Sequence, residues 1–156
     1  MILQKPKNSV LVIASGNKGK ISEFCNLLCD FPFDVISQQE GLKVEETGKT
    51  FAENARLKAI AVSNFTGKLT LGDDSGLCVS SLEGRPGVKS SRYADNDIER
   101  INRLLAELKS SSDRKAYFSA ALCVAAPGNQ VLIEVEGKCE GLITTTPRGK
   151  GGFGYD

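Results

Sequence analysis

The sequence predicts an α/β domain with a central mixed β-sheet flanked by helices. A short β-branched run, Asn8–Ser15, precedes a glycine-containing loop and an amphipathic segment, which is typical of a strand–loop–helix unit. Two later segments carry apolar residues at helical spacing. Two apolar runs near the end flank Pro127-Gly128-Asn129, which indicates an antiparallel hairpin. We therefore expect parallel and antiparallel strands together in one domain, residues 1–156.

The first half of the chain is predicted to contain three strands and two helices. In order, these are a strand at Asn8–Ser15, a loop at Gly16–Lys20, a helix at Ile21–Leu28, a strand at Phe33–Ser37, a polar loop at Gln38–Lys49, a helix at Thr50–Phe65 and a strand at Leu69–Leu71. Thr50 with Glu53 three residues later matches a capping box, which marks the start of the long helix. We expect its apolar surface to comprise Phe51, Ala55, Leu57, Ala59 and Val62.

The second half is predicted to contain one helix and the hairpin. The helix, Asp97–Leu108, has a stripe at helical spacing that we expect in the core, made of Ile98, Ile101, Leu104, Leu105 and Leu108. The hairpin pairs Ala116–Ala126 with Gln130–Lys138. In the second strand Val131, Ile133 and Val135 form one side, so we expect the other side to face water.

The composition restricts the classes of partner and of chemistry. Lys plus Arg number 20 and Asp plus Glu number 19, which argues against a nucleic-acid polymer or a membrane surface as partner. Met1–Lys7 lacks the apolar stretch of a signal peptide, so a cytoplasmic location is expected. The sequence contains no histidine. Acid–base or metal chemistry must then use Asp, Glu, Lys and backbone groups, which suits Mg²⁺ and phosphate better than zinc.

The five cysteines, Cys25, Cys29, Cys78, Cys123 and Cys139, form no C-x-x-C motif. A metal or redox site is one interpretation of this set. Because the number is odd and most of the cysteines lie in apolar runs, we expect reduced thiols packed as small hydrophobic side chains.

Ser15-Gly16-Asn17-Lys18-Gly19-Lys20 joins the first strand to the first helix. A helix N-terminus with two glycines and two lysines is suited to holding a phosphate. The segment lacks Walker A spacing, and Ile21 stands where that motif has a metal-binding hydroxyl. A plain strand-to-helix turn with solvated lysines explains the same residues.

Asp73 and Asp74 lie side by side in the apolar run Lys68–Leu77. Placed at the end of a strand, two carboxylates are costly unless they face water, a cation or a reacting group. An Asp-Ser-Gly turn is the alternative interpretation. Glu45-Glu46 would by itself be a solvated acidic turn, and Asn54 and Lys58, which share one helix face, would be surface residues. Taken together, these groups supply what metal-assisted attack on phosphorus requires.

Six segments, in the same order along the chain, resemble the inosine triphosphate pyrophosphatase family (Ham1/RdgB-like). The resemblance runs from about residue 9 to the last residue and is carried by SGNKGK at 15–20, EETGKTFAENA at 45–55, Lys58, DDSGL at 73–77, PGVKSSRY at 86–93 and GGFGYD at 151–156. It implies an elongated single domain with a central mixed sheet, usually forming a homodimer. It also implies Mg²⁺-dependent hydrolysis of non-canonical purine nucleoside triphosphates (ITP, dITP, XTP) to the monophosphate and pyrophosphate.

The resemblance also implies roles for individual residues. The catalytic residues would be Asp74, Lys20 and Lys58, and the Mg²⁺ ligands would be Glu45, Glu46 and Asp74. The substrate would contact Ser15, Gly16, Asn17, Lys18, Gly19, Lys20, Asn54, Ser75, Phe153, Gly154, Tyr155 and Asp156. Within the last group, Phe153 or Tyr155 would stack on the purine. Asp73 is left as a supporting residue.

The sequence departs from the family pattern after Asp156. In the family about forty further residues follow, including a Ser-His-Arg element that contacts phosphate and base. The chain ends at Asp156 and contains no histidine, so we expect a domain that lacks the family's C-terminal segment. The alternative functions are a non-catalytic nucleotide-binding remnant, inactive because that base-recognition segment is missing, and a pyrophosphatase for another modified nucleotide.

Overall fold

A computed structural model of the chain describes residues 9–156. Asn8, the first residue of the predicted first strand, and Met1–Lys7, where no signal peptide is expected, lie outside the described residues. The strands are β1 (Val10–Ala14), β2 (Asp34–Ser37), β3 (Leu69–Val79), β4 (Lys115–Ala126) and β5 (Gln130–Leu142). The α-helices are α1 (Lys18–Leu27), α2 (Phe51–Thr66) and α3 (Asp97–Glu107), and two 3₁₀ helices span Ser80–Leu82 and Gly87–Arg92.

The strands form one mixed sheet in the order β2-β1-β3-β4-β5. β1 pairs in parallel with β2, with Val12 opposite Ile36, and in parallel with β3, with Ile13 opposite Leu71. β4 and β5 are neighbours joined through a three-residue turn at 127–129, which imposes an antiparallel hairpin. The predicted α/β class with a mixed sheet is therefore confirmed. None of the helices in residues 9–156 has the length and hydropathy to cross a membrane.

The chain divides into two compact units. The first comprises the described residues up to Asp74 together with Ala121–Val135, and the second comprises Ser75–Ala120 with Glu136–Asp156. In the first unit, Leu11, Ile13 and Leu71 form one buried cluster, against which side chains of α1 and β2 pack. A second cluster joins Ala55 and Ala59 of α2 to alternate residues of β4, Ala121, Cys123 and Ala125. The small side chains of α2 allow this helix to lie close to the sheet.

The second unit has its own core of Leu77, Val79, Leu82, Leu104, Leu108 and Ala116. Ile143 and Tyr155 pack against this core. A cavity of about 330 Å³ lies in the same unit and has a mainly apolar lining that includes Leu105 and Leu142.

The first helix begins three residues earlier than predicted, at Lys18 instead of Ile21. Asn17 is the N-cap, and its Oδ1 accepts hydrogen bonds from the N–H groups of Gly19 and Lys20 at 2.9 and 3.2 Å. Residues that the sequence placed in a loop therefore form the first turn, because the cap compensates for the low helix propensity of glycine.

The prediction for α2 is confirmed, including its capping box. Thr50 Oγ1 accepts from the Glu53 N–H, and the Glu53 carboxylate accepts from the Thr50 N–H. Gly67 ends the helix in the left-handed region at φ 66°. The predicted apolar surface is wrong at Leu57, which is exposed.

β3 is longer than predicted and changes the setting of the aspartates. It runs eleven residues, Leu69–Val79, so Asp73 and Asp74 lie in the middle of a strand and are both buried. The expectations of a strand end or an Asp-Ser-Gly turn at this position are wrong. A strand can carry two buried carboxylates here because each one contacts a lysine.

Two predictions of amphipathic character are only partly right. The predicted α3 stripe is buried at Leu104 and at the C-cap Leu108 and half-buried at Ile101 and Leu105, but Ile98, the second residue of the helix, is exposed. β5 has no buried side in the described part of the chain, because every one of its residues is exposed. The expectation that only one face of β5 meets solvent is wrong, because both faces of this edge strand are open to solvent.

The five cysteines are all free thiols. Cys78 and Cys123 are buried, as predicted, and burial raises the pKa of the Cys123 thiol to about 11. Cys25, Cys29 and Cys139 are exposed, which corrects the expectation that the set packs as small hydrophobic side chains.

Candidate active site

Gly72 brings α2 directly onto β3. A Cβ added at Gly72 would lie 2.6 Å from the Ala59 nitrogen and 2.9 Å from the Ala59 Cβ, so no side chain fits between strand and helix. Asp74 follows two residues later on the same face of the strand. The residues before Ala55 and Ala59 in α2 are Asn54 and Lys58, and both contact Asp74.

Asp73 and Asp74 point to opposite faces of β3 and meet different lysines. Asp73 Oδ2 lies 2.5 Å from Lys20 Nζ, and Asp74 Oδ1 lies 3.6 Å from Lys58 Nζ. Asp73 Oδ1 is buried and accepts no hydrogen bond from the described residues. Each aspartate is thus held by a lysine from a different helix, α1 for Asp73 and α2 for Asp74.

Asp74 is buried, with only 7% of the residue's surface exposed. Burial raises its pKa above the ordinary aspartate range, and the nearby Glu46 carboxylate acts in the same direction. The Lys58 ammonium and the hydrogen bond from Asn54 oppose that rise. A carboxylate that is desolvated and paired in this way has the character of a proton acceptor at a reacting centre.

Lys58 links two carboxylates that are distant in sequence. Its Nζ lies 2.9 Å from Glu46 Oε1 and 3.6 Å from Asp74 Oδ1. Both acids are therefore directed at one cationic centre. Glu45 is exposed, and the polar loop brings only the second residue of the Glu-Glu pair to Lys58.

The carboxylate oxygens of this cluster match the ligands that Mg²⁺ prefers. Glu46 and Asp74 offer hard oxygen ligands, and no group of three or more acidic, histidine or cysteine side chains suited to a metal occurs within residues 9–156. Mg²⁺ is commonly held by one or two carboxylates together with substrate phosphates and water. The pair therefore fits a magnesium ion whose remaining ligands are water molecules and, once substrate is bound, its phosphates.

Asn54 is completely buried, and both ends of its amide are used. Its Oδ1 accepts from the Gly48 N–H at 2.8 Å, and its Nδ2 donates to Asp74 Oδ2 at 3.0 Å. Asn54, which is predicted to contact the substrate, thus joins the Gly48 backbone to the Asp74 carboxylate.

The segment Ser15–Lys20 comprises the N-cap and first turn of α1. Ser15 Oγ accepts from the Asn17 N–H at 3.1 Å, and residues 16–18 are exposed to solvent. The N-terminus of α1 carries no acidic residue in its first turn. Its dipole and two lysines therefore favour an anion such as phosphate.

The remaining predicted residues belong to the second unit. Phe153–Asp156 form a turn in which Phe153 N–H donates to Asp156 Oδ2 at 3.0 Å. The Gly154 N–H donates to Asp97 Oδ2, and the Tyr155 hydroxyl donates to the Ser90 carbonyl at 3.0 Å. Tyr155 packs into the core, and burial raises its pKa to about 12.

The structure brings Glu46, Asn54, Lys58 and Asp74 together in the first unit, with Lys20 on Asp73. It does not bring Glu45 to this cluster. Ser75 follows Asp74 in β3. The substrate contacts expected of Ser75 and of Phe153–Asp156 stay predictions. Sequence reasoning gives Asp73 no more than a supporting role, although two adjacent aspartates within a strand must point to opposite faces.

Comparison with known proteins gives consistent matches over nearly the whole chain. A sequence profile of the Ham1 family matches residues 11–156. A protein of Prochlorococcus marinus (strain NATL1A) named dITP/XTP pyrophosphatase is 64% identical over 149 residues, covering 96% of this chain and 76% of the relative. Among solved structures, a HAM1 protein from Coxiella burnetii aligns with a TM-score of 0.85 at 42% identity, covering 96% of this chain and 80% of that one. The Staphylococcus aureus Ham1 protein aligns with a TM-score of 0.81 at 39% identity, covering 95% and 79%.

Proposed function

This chain belongs to the Ham1 family, and from that membership we propose that it is a dITP/XTP pyrophosphatase. The reaction would release the nucleoside monophosphate and pyrophosphate from non-canonical purine nucleoside triphosphates, ITP included. Its purpose would be to remove damaged purines from the nucleotide pool. Relatives that carry the name dITP/XTP pyrophosphatase support the proposal at up to 64% identity.

One observation supports the chemistry most directly: Lys58 Nζ lies between Glu46 Oε1 and Asp74 Oδ1, at 2.9 and 3.6 Å. A buried aspartate, a half-buried glutamate and a half-buried lysine converge here from a strand, a loop and a helix. Such a group is a poor choice for stability alone, because desolvation of charges is costly. It is suited to a site that must balance metal and phosphate charges.

Glu46 and Asp74 would hold Mg²⁺, and Glu45 would add an outer carboxylate. When bound, the ion would supply positive charge to the phosphates and lower the pKa of a coordinated water. Asp74 would accept the proton of the attacking water, a role for which its fixed position between Asn54 and Lys58 suits it. Lys58 and Lys20 would stabilise charge that develops on the phosphates, and the Ser15–Lys20 segment would hold the triphosphate.

For the base we propose the turn Phe153–Asp156, with Ser75 near the nucleotide. Phe153 is the better candidate for stacking, because the Tyr155 ring is packed in the core and its hydroxyl is bonded to Ser90. A 6-oxo purine would be distinguished by polar groups that an adenine amino group leaves unpaired. We further propose a cytoplasmic homodimer, as the family resemblance implies.

The test is a substrate panel assayed for pyrophosphate release with Mg²⁺ present. We expect turnover of dITP, XTP and ITP, and a rate at least tenfold lower for dATP, because one mismatched polar contact is worth about tenfold or more. Omission of Mg²⁺ with EDTA present should abolish release.

The same panel separates turnover from binding. Nucleotides that raise the melting temperature without pyrophosphate release would indicate a binding module and would contradict the proposed activity. Equal rates for all purine triphosphates would contradict the proposed specificity while retaining the hydrolytic chemistry.

A further inference from the structure

Asn54 is a fully buried amide in contact with Asp74, and its environment fixes its orientation. The Gly48 N–H can only donate, so the atom that faces it must be Oδ1. The Asp74 carboxylate accepts, so the atom that faces it must be the amide nitrogen. With 0% of its surface exposed, Asn54 has no face left for a substrate.

We propose that Asn54 is a positioning residue that aligns the two proposed metal-binding carboxylates, Glu46 and Asp74, without touching the nucleotide. The inference rests on the proposed function, because it assigns a role within the same site. It replaces the substrate contact that the family resemblance implied for this position.

The alignment of Asp74 follows from the use of its two oxygens. Oδ2 receives the Asn54 amide at 3.0 Å, which leaves Oδ1 directed at Lys58. Without the amide, Oδ2 would lose the hydrogen bond from Asn54, and the carboxylate would be less restricted in rotation about its Cβ–Cγ bond.

The alignment of Glu46 follows from the position of Gly48 two residues later. A Cβ added at Gly48 would lie 2.6 Å from Asn54 Oδ1 and 2.7 Å from Glu53 Cβ. The loop therefore lies against the start of α2, and the Gly48 N–H is tied to the amide that also holds Asp74. One side chain thus sets the loop acid and the strand acid relative to each other.

The chain offers a matched control ten residues further along α2. Asn64 Oδ1 accepts from the Gly128 N–H at 2.8 Å, and Asn64 Nδ2 donates to Asn129 Oδ1 at 2.7 Å. The same amide therefore makes the same pair of bonds, but to the β4–β5 turn and on an exposed surface. We call such an amide, hydrogen-bonded at both ends, a clamp. Asn64→Leu should therefore report how much stability is lost when a clamp is removed away from the acidic residues.

The experiment measures Mn²⁺ binding by electron paramagnetic resonance in the absence of nucleotide, on Asn54→Leu, Gly48→Ala and Asn64→Leu. We expect the Mn²⁺ dissociation constant to rise about tenfold or more in the first two, since groups that orient ligands act on that scale. Asn64→Leu should bind Mn²⁺ as the unaltered chain does. The double variant Asn54→Leu/Gly48→Ala should be no weaker than either single variant, because both remove one clamp.

Kinetics and metal-free binding provide the second readout. At saturating Mg²⁺ we expect kcat for dITP to fall in Asn54→Leu while KM stays within about twofold, since uniform substrate binding is retained. Affinity for dITP in EDTA should also be unchanged. Loss of that affinity with normal Mn²⁺ binding would show a substrate contact and overturn the inference.

Gly48→Ala keeps the test decisive if Asn54→Leu does not fold, because it alters the clamp from the loop side. Normal Mn²⁺ binding by folded Gly48→Ala would overturn the inference, as would the absence of Mn²⁺ binding by the unaltered chain. Intact Mn²⁺ binding without turnover of any nucleotide would contradict the proposed function alone.

Discussion

Asp73 and Asp74 are consecutive residues, yet their carboxylates contact different lysines, Lys20 at 2.5 Å and Lys58 at 3.6 Å. Successive side chains of a strand point to opposite faces. Asp73 therefore contacts a lysine of α1 and Asp74 a lysine of α2, and the two carboxylates do not form one shared site. The two aspartates should therefore respond differently to the same substitution.

Asp74→Asn should lower kcat for dITP by about 100-fold or more while the protein stays folded, because it removes the proposed proton acceptor and metal ligand. The measurement is pyrophosphate release, with circular dichroism as the check of folding. A variant that retains half of the activity would remove Asp74 from the mechanism.

Asp73→Asn should mainly lower stability, by about 1–3 kcal/mol, because the half-buried Lys20 ammonium loses its carboxylate partner. Urea unfolding at neutral pH measures this change. If Asp73→Asn left stability unchanged and abolished turnover as Asp74→Asn does, the division of roles would be wrong.

Lys58→Met should make stability depend more strongly on Mg²⁺. Without the ammonium, Glu46 and Asp74 lose the counter-charge that lies between them, so we expect unfolding in EDTA to become easier by about 1–3 kcal/mol. Added Mg²⁺ should raise the melting temperature of Lys58→Met more than that of the unaltered chain. Equal shifts in differential scanning fluorimetry would contradict the prediction.

Gly72→Ala should disrupt the site by pushing α2 away from β3. The added methyl group would meet the backbone of α2, so we expect a loss of about 1–3 kcal/mol or more and lower activity, as Asn54 and Lys58 move away from Asp74. Gly137→Ala in β5 is the matched control, because its added Cβ meets nothing within 4 Å. A Gly72→Ala protein as stable and active as Gly137→Ala would contradict the close packing.

Tyr155→Phe should change the dependence of stability on alkaline pH. Burial raises the pKa of Tyr155 to about 12, from an ordinary tyrosine value of 10, so the folded protein holds this proton more tightly than the unfolded chain. The contribution of the neutral phenol is therefore complete below pH 10 and is lost as the pH rises towards 12.

At neutral pH, Tyr155→Phe should cost about 1 kcal/mol, because the hydrogen bond to the Ser90 carbonyl is removed. Above about pH 10 the difference between the two proteins should shrink, since only the unaltered chain has the phenol to ionise. Urea unfolding at several pH values measures it. A difference that grows with pH would mean that the pKa of Tyr155 is not raised.

Local signals predicted the local features of this protein well. The Thr50–Glu53 capping box places the start of α2 correctly, and the hairpin turn at 127–129 separates the last two strands as expected. Exposure was predicted less well: Leu57 and Ile98 are exposed although both fit apolar stripes. Apolar spacing gives the side of a helix, but burial depends on which element covers that side.

The sequence by itself determined the α/β class, the order of the elements and, through six short segments, the membership of a family. These depend on backbone propensity, capping and local residue spacing, which neighbouring residues carry. Only the tertiary structure decided that β3 continues through the aspartates, that Lys20 meets Asp73, and that Asn54 lies behind Asp74. Those contacts join residues 20 to 53 positions apart, and they follow from the close packing of α2 on Gly72 and from the alternation of side chains along a strand.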